Sequence, residues 1–242
     1  YQVWKETQMN EVLTVLKSTS GHALAKIFSG IALTQQPFSI GSLFDVTEEP
    51  VSDLHSLSAL LQRLEDDPTH TVIRGVLKES QSSTVPRNKE TFTTTPRQWC
   101  MIDIDGIAWN GDLSDQQAML SYTIQQLPVE FQSADCWYQF SSNMGIKPGI
   151  NVHLWFWLDR PCSDNELKVW LSGYPADDHM FNPIQIHLTA NPQFSDGAVD
   201  PYPNRSGLFK AGAGVSTVTV TSDLAFRRVL SNQRKQASDC WH

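Results

Sequence analysis

Residues 99–106 read Trp99-Cys100-Met101-Ile102-Asp103-Ile104-Asp105-Gly106, an apolar run that acquires two carboxylates two positions apart and then a glycine. Side chains alternate faces along a strand, so residues i and i+2 point the same way. Asp103 and Asp105 therefore project side by side near the end of a strand whose isoleucines face the core. Two carboxylates at that spacing repel each other unless positive charge neutralises them. A hard divalent cation does so with oxygen ligands. The competing reading is a strand running into an Asp-Gly turn, and the rest of the chain decides between them.

At 242 residues the chain is long enough for one large domain or two small ones with a substantial core. Apolar residues make up 40%, which excludes a disordered tail. No apolar run is long enough to span a membrane, and no signal peptide opens the sequence. The first residue is Tyr1, as expected of a segment cut from a longer protein. Cys100, Cys136, Cys162 and Cys240 form no Cys-x-x-Cys, against a zinc ribbon. Cys100 and Cys136 lie in apolar runs and read as buried thiols, a pattern suited to a reducing cytoplasm. The net charge is −8, from 18 basic and 26 acidic residues. That argues against a general nucleic-acid coat but leaves room for an enzyme that meets nucleic acid through a local groove and metal ions.

The apolar positions of 9–29 (Val12, Leu13, Leu16, Ala23, Leu24, Ile27, Phe28) read as helical, with a break at Gly21. Residues 53–65 form a clearer amphipathic helix through Leu54, Leu57, Leu60, Leu61 and Leu64. A strand over 70–78, a long polar loop over 79–96 and the Asp-x-Asp strand over about 98–105 follow. Ser114-x-x-Gln117 and Ser163-x-x-Glu166 are capping boxes that open helices, the second ended by Gly173. Strands are expected over 134–140, 151–158, 184–188 and 215–220, and a last helix over 222–235, with Asp223 in its first turn and Arg234 and Lys235 in its last. Strands that pair close in sequence, with helices interspersed irregularly, predict an α+β fold with a mostly antiparallel sheet.

Two further features join the carboxylate pair. His153 lies in the strand Asn151-Val152-His153-Leu154-Trp155 and shares its face with Asn151 and Trp155. A lone strand histidine is more often structural. Val199-Asp200 places a carboxylate after an aliphatic residue, ahead of Arg205 and Lys210, where the bland reading is an Asp-Pro turn. Asp196 is a rival to Asp200, and His187 reads either as a site neighbour on the adjacent strand or as structural.

In this order the motifs resemble the archaeo-eukaryotic primase superfamily, the primase-polymerases of plasmids, phages and integrating elements. Asp103 and Asp105 match its Asp-x-Asp. Asn151-x-His153 matches its small-polar-x-His, with Asn where Ser is usual. Val199-Asp200 matches its apolar-Asp. The wider context, Arg97 to Gly106, His153 to Leu158 and His187-Leu188-Thr189-Ala190, resembles primase-helicases of bacterial mobile elements. The resemblance spans roughly 70–220 and leaves 1–65 unmatched.

The resemblance implies a primase-polymerase core, RRM-like, over residues 69–242 with flanking helices, and an N-terminal helical accessory region over 1–68. It implies Mg²⁺ or Mn²⁺ held by Asp103, Asp105 and Asp200, with His153 on the incoming nucleotide's phosphates and Asn151, Arg205 and Lys210 as further nucleotide contacts. Its partners would be a single-stranded DNA template, nucleoside triphosphates and a helicase domain in the full-length protein. The chemistry agrees, since in-line nucleotidyl transfer needs charge neutralised on the attacking and leaving oxygens by metals that carboxylates bridge. Two alternatives remain. A haloacid-dehalogenase-type phosphatase would use Asp103 as nucleophile, but needs a parallel doubly wound sheet and a Gly-Asp-x-x-x-Asp that residues after 112 lack. A replication-initiator module would bind DNA without chemistry.

Overall fold

The computed structural model describes residues 11–78, 83–221 and 224. Strands β1 (Glu11–Ser18), β2 (Ile27–Ser29), β3 (Thr34–Gln35) and β4 (Leu43–Val51) precede helix α1 (Leu54–Glu65). Then come β5 (His70–Ile73), β6 (Val76–Leu77), β7 (Thr84–Pro86), β8 (Phe92–Thr93) and the long β9 (Arg97–Ile107). Helices α2 (Gln116–Ile124) and α3 (Val129–Gln132) lead to β10 (Cys136–Phe140), β11 (Ile150–Cys162) and α4 (Asp164–Trp170). A 3-10 turn at Asp178–Phe181, β12 (Gln193–Ser195) and β13 (Ser206–Phe209) complete the described elements.

The fold is α+β and mostly antiparallel. The central sheet has the order β13-β10-β11-β9, and every pairing in it is antiparallel. A second antiparallel sheet has the order β5-β1-β4-β7. In a third, β12 runs parallel to β2. The all-antiparallel setting of β9 removes the parallel scaffold that the phosphatase reading requires.

Alternation along β9 and β11 sends side chains into two different cores. Cys100, Ile102, Ile104, Val152, Leu154 and Phe156 pack with Met119 and Leu120 of α2 and Leu167 and Trp170 of α4. Trp99, Met101, Trp155 and Trp157 face the other way, against Leu13 and Val15 of β1 and Leu57 and Leu61 of α1. Each of these side chains contributes about 1.5–3 kcal/mol on full burial. Asp103 and Asp105 follow Trp99 and Met101 in parity. They lie on the face covered by the second sheet, where that cover gives out and a cavity opens.

Several expectations are corrected. Residues 9–29 hold no helix in their described part; β1 and β2 are strands there. The burial along β1 explains the misreading. Leu13 and Val15 enter one core and Leu16 another, so both faces are buried and the alternation that marks a strand is erased. The strand over 70–78 is interrupted at Arg74-Gly75. A Cβ on Gly75 would stand 2.7 Å from the Pro183 carbonyl oxygen, so only glycine allows this close approach. Within the polar stretch 79–96, β7 and β8 form short strands. The N-cap of α2 is Asp115, which accepts from the Ala118 N–H, and not Ser114. The α4 capping box is present as expected, with Ser163 and Glu166 bonded reciprocally.

Residues 184–188 and 215–220 make isolated bridges in place of strands: Val72 with His187, Ala134 with Val215 and Leu158 with Val218. The helix expected over 222–235 lies outside the described residues except for Leu224. Cys100 and Cys136 are fully buried, and burial pushes the Cys100 thiol up to about 12. No helix among the described residues is long and apolar enough to cross a membrane.

Candidate active site

A cavity of about 260 Å³ opens at the end of the paired strands β9 and β11. Asp103, Asp105, His153, Asp177 and Lys26 all line it. Cross-strand register sets Asp103 opposite His153, with His153 Nε2 3.4 Å from Asp103 Oδ1. Asp103 Oδ1 is buried and has no hydrogen-bond partner among the described residues, and the same holds for His153 Nδ1. A buried acceptor left unpaired costs about 1–3 kcal/mol and needs an explanation.

Charge in the cavity is equally unsettled. Burial holds the Asp103 carboxyl above its ordinary value, His153 opposes this, and Asp105 and Asp177 push it further up. Burial lowers the Lys26 ammonium, helped by Lys147 and opposed by Asp105 and Asp103.

Backbone pairing delivers the residues from distant parts of the chain. The Asp177 N–H donates to the Asp103 carbonyl at 3.1 Å, tethering the 3-10 turn to β9. Lys26 comes from the segment leading into β2. The Gln193 N–H, at the start of β12, donates to the Lys26 carbonyl at 2.9 Å. The Lys26 ammonium donates to Asn143 Oδ1 at 3.3 Å. Asp177 also belongs to an exposed group, with Asp178 and His179, whose ligand atoms lie within 4.8 Å of one another.

The residues singled out from sequence divide into two groups. Asp103, Asp105 and His153 share the cavity. Asp200, Arg205, Lys210 and Asn151 do not line it. Both Asp200 oxygens accept from the Arg205 guanidinium, and one also accepts from the Tyr202 N–H at 2.8 Å. Arg205 Nη1 donates to the Ser141 carbonyl at 2.7 Å, bracing a cavity-lining loop from behind. Lys210 donates to Asp135 at 2.8 Å. Asn151 accepts from the Gly106 N–H at 3.1 Å and donates to the Gly149 carbonyl at 3.0 Å, fixing the backbone just past Asp105. Trp155 is wholly buried against Trp99 and His187 and forms no cavity wall. His187 is sealed in the same layer, and burial lowers its imidazole to about 3.

Sequence reasoning missed Asp177 and Lys26. Ala176-Asp177 is also an apolar residue followed by Asp, but alanine after a proline gives a weak strand signal. Lys26 carries no local signal at all, because only the pairing of β2 with β12 places it.

No protein-family model matches the chain. It is 28% identical over 220 residues to a "Putative replication origin binding protein" of Escherichia phage T5, covering 83% of this chain and 22% of that protein. The chain thus spans about a fifth of the length of that relative. Among solved structures it is similar to the AEP domain of the cyanophage S-2L primase-polymerase, at 10% identity and a TM-score of 0.36, over 86% of this chain and 85% of the other. The polymerase domain of Mycobacterium tuberculosis ligase D in complex with DNA aligns at 12% identity and a TM-score of 0.25, over 90% and 76% of the two chains.

Proposed function

We propose that this chain is a template-dependent nucleotidyltransferase, the catalytic domain of a primase-polymerase, with Asp103, Asp105 and Asp177 as its metal-binding carboxylates. The observation that carries the reading is the orphaned, buried Asp103 oxygen in a cavity shared with two other carboxylates, a histidine and a lysine. An all-oxygen donor set that repels itself fits a hard divalent cation, Mg²⁺ or Mn²⁺. When bound, such ions neutralise charge on the attacking and leaving phosphate oxygens.

The remaining work falls to the chain's own groups. His153 faces Asp103 across the strand pair and can donate to a nucleotide phosphate. Lys26 adds an ammonium at the cavity wall, suited to the triphosphate tail. Asp177 is preferred to the Asp200 of Val199-Asp200 as the third carboxylate because it lines the cavity, whereas Asp200 does not and both of its oxygens accept from Arg205. The phage T5 relative, named for origin binding, supports a setting in DNA replication.

The test is incorporation of labelled nucleotides on single-stranded DNA, with and without a primer and with Mg²⁺ or Mn²⁺. Metal-dependent synthesis that Asp103→Asn abolishes supports the reading. The name of that same relative favours a second one, an origin-binding module without chemistry. DNA binding with no incorporation under any nucleotide or metal condition would select it.

A further inference from the structure

A second groove of about 540 Å³ adjoins the carboxylate cavity. Gln185 lines both, Ile184 lines the groove and Ile186 lines the cavity, so one short stretch of chain separates them. Lys78, Arg87 and Lys89 line this groove, and no residue lining it among those described is acidic. That is an unusual local balance in a chain of net charge −8. Two of the three cations are held in place, and Lys89 is exposed. The Lys78 ammonium donates to the Lys89 carbonyl at 2.8 Å, and Arg87 Nη1 donates to the Ile184 carbonyl. Arg87 Nε is buried without a hydrogen-bond partner. The opposite wall is fixed by the Gly75 N–H, which donates to the Pro183 carbonyl at 2.7 Å.

We infer that this groove carries the phosphate backbone of a single-stranded DNA template into the carboxylate cavity. The inference rests on the nucleotidyltransferase reading for what happens in the cavity and for the choice of a single strand, while the binding of a phosphate backbone rests on the charge of the groove itself. A positively charged groove that tracks the backbone is the usual device for holding single strands without sequence preference. A base that must pair with an incoming nucleotide has to arrive unpaired, so a single strand suits a channel beside that cavity better than a duplex does.

The test is fluorescence anisotropy with labelled single-stranded oligonucleotides of several sequences, over a range of salt, in the absence of nucleotide. The Lys78→Ala/Lys89→Ala protein, and Lys89→Glu alone at its exposed position, are compared with the unaltered chain after thermal melts establish that each is folded. Affinity is expected to fall roughly tenfold at low salt for every sequence. The slope of log K against log salt should fall in magnitude by about 1.4 in the double variant, about 0.7 for each phosphate that a lysine no longer neutralises. Unchanged affinity and slope in both lysine variants would overturn the groove. So would complete displacement of DNA by inorganic tripolyphosphate with the same dependence on the two lysines, since the groove would then be a nucleotide subsite. If no protein incorporates nucleotide while the lysine variants still lose DNA binding, the groove stands and the catalytic reading fails.

Discussion

At the scale of single residues, the role proposed for Asp103 conflicts with its place in the fold. Its carboxyl is held above the ordinary value of 3.8 by burial and by neighbouring carboxylates. A raised carboxylate favours the protonated folded form. The contribution of Asp103 to the stability of the metal-free protein is therefore lost as pH climbs past the ordinary carboxylate range towards its raised value, and is restored on acidification. Asp103→Asn removes the charge and keeps the shape. It is expected to abolish nucleotide incorporation while raising the Tm of the metal-free protein by about 2–4 °C, the equivalent of about 1 kcal/mol. A lowered Tm together with retained activity would refute both halves.

Asp177 and Asp200 make a sharper pair. Asp177→Ala is expected to cut incorporation at least a hundredfold at a cost of about 1 kcal/mol in stability, because its half-exposed side chain lines the cavity and caps the 3-10 turn through the His179 N–H. Asp200→Ala strands the Arg205 guanidinium, whose side chain is 1% exposed, and should cost about 3 kcal/mol in denaturant unfolding while leaving activity well below the transition largely intact. The reverse pattern would return Asp200 to the proposed carboxylate set.

At the scale of elements, what could be read from sequence depended on whether the signal was local. β9, β11, α1 and α4 each carry their own pattern: an apolar run ending in paired carboxylates, an aromatic and β-branched run, a leucine stripe, a capping box. All four lie where those patterns place them. β1 was illegible because it is buried on both faces. The bridge at His187 owes nothing to its own segment, since its partner is Val72, more than a hundred residues earlier.

Half the cavity follows the same rule. The Asp103–His153 pair comes from two recognisable strands, whereas Lys26 arrives through the pairing of β2 with β12. Lys26→Ala is therefore expected to raise the KM for nucleotide about tenfold, with a smaller fall in kcat, since a cation on the triphosphate tail holds substrate and transition state alike. Steady-state kinetics in each nucleotide reads this directly. A large fall in kcat at unchanged KM would instead move Lys26 to the reacting phosphate.

At the scale of the whole molecule, the N-terminal strands are bound into the sheet that packs against the one carrying the site. β1 pairs with β4 on one side and with β5, at residues 70–73, on the other. Two buried guanidinium groups tie this sheet to β9. Arg97 meets Glu11 at 3.1 Å and donates to Thr14 Oγ1 at 2.8 Å, while the Gln98 N–H donates to Glu11 at 2.7 Å. Arg74 meets Asp164 at 2.9 Å, donates to the Trp99 carbonyl at 2.8 Å, and stacks over the Trp99 ring at 5.1 Å. Removing residues 1–68 would take Glu11 and Thr14 from a buried Arg97, a loss of about 3–5 kcal/mol for the broken pair alone. It would also expose Trp99, Met101 and Trp157 where β1 and α1 cover them, and remove Lys26 from the cavity. Marginal stability of about 5–15 kcal/mol cannot absorb losses of that size. The fragment 69–242 is therefore expected to be aggregated or molten, with no cooperative thermal transition by circular dichroism and no nucleotide binding. A soluble 69–242 fragment that melts cooperatively near the Tm of the full chain would make residues 1–68 a true accessory region and separate the site from the sheet we find beneath it.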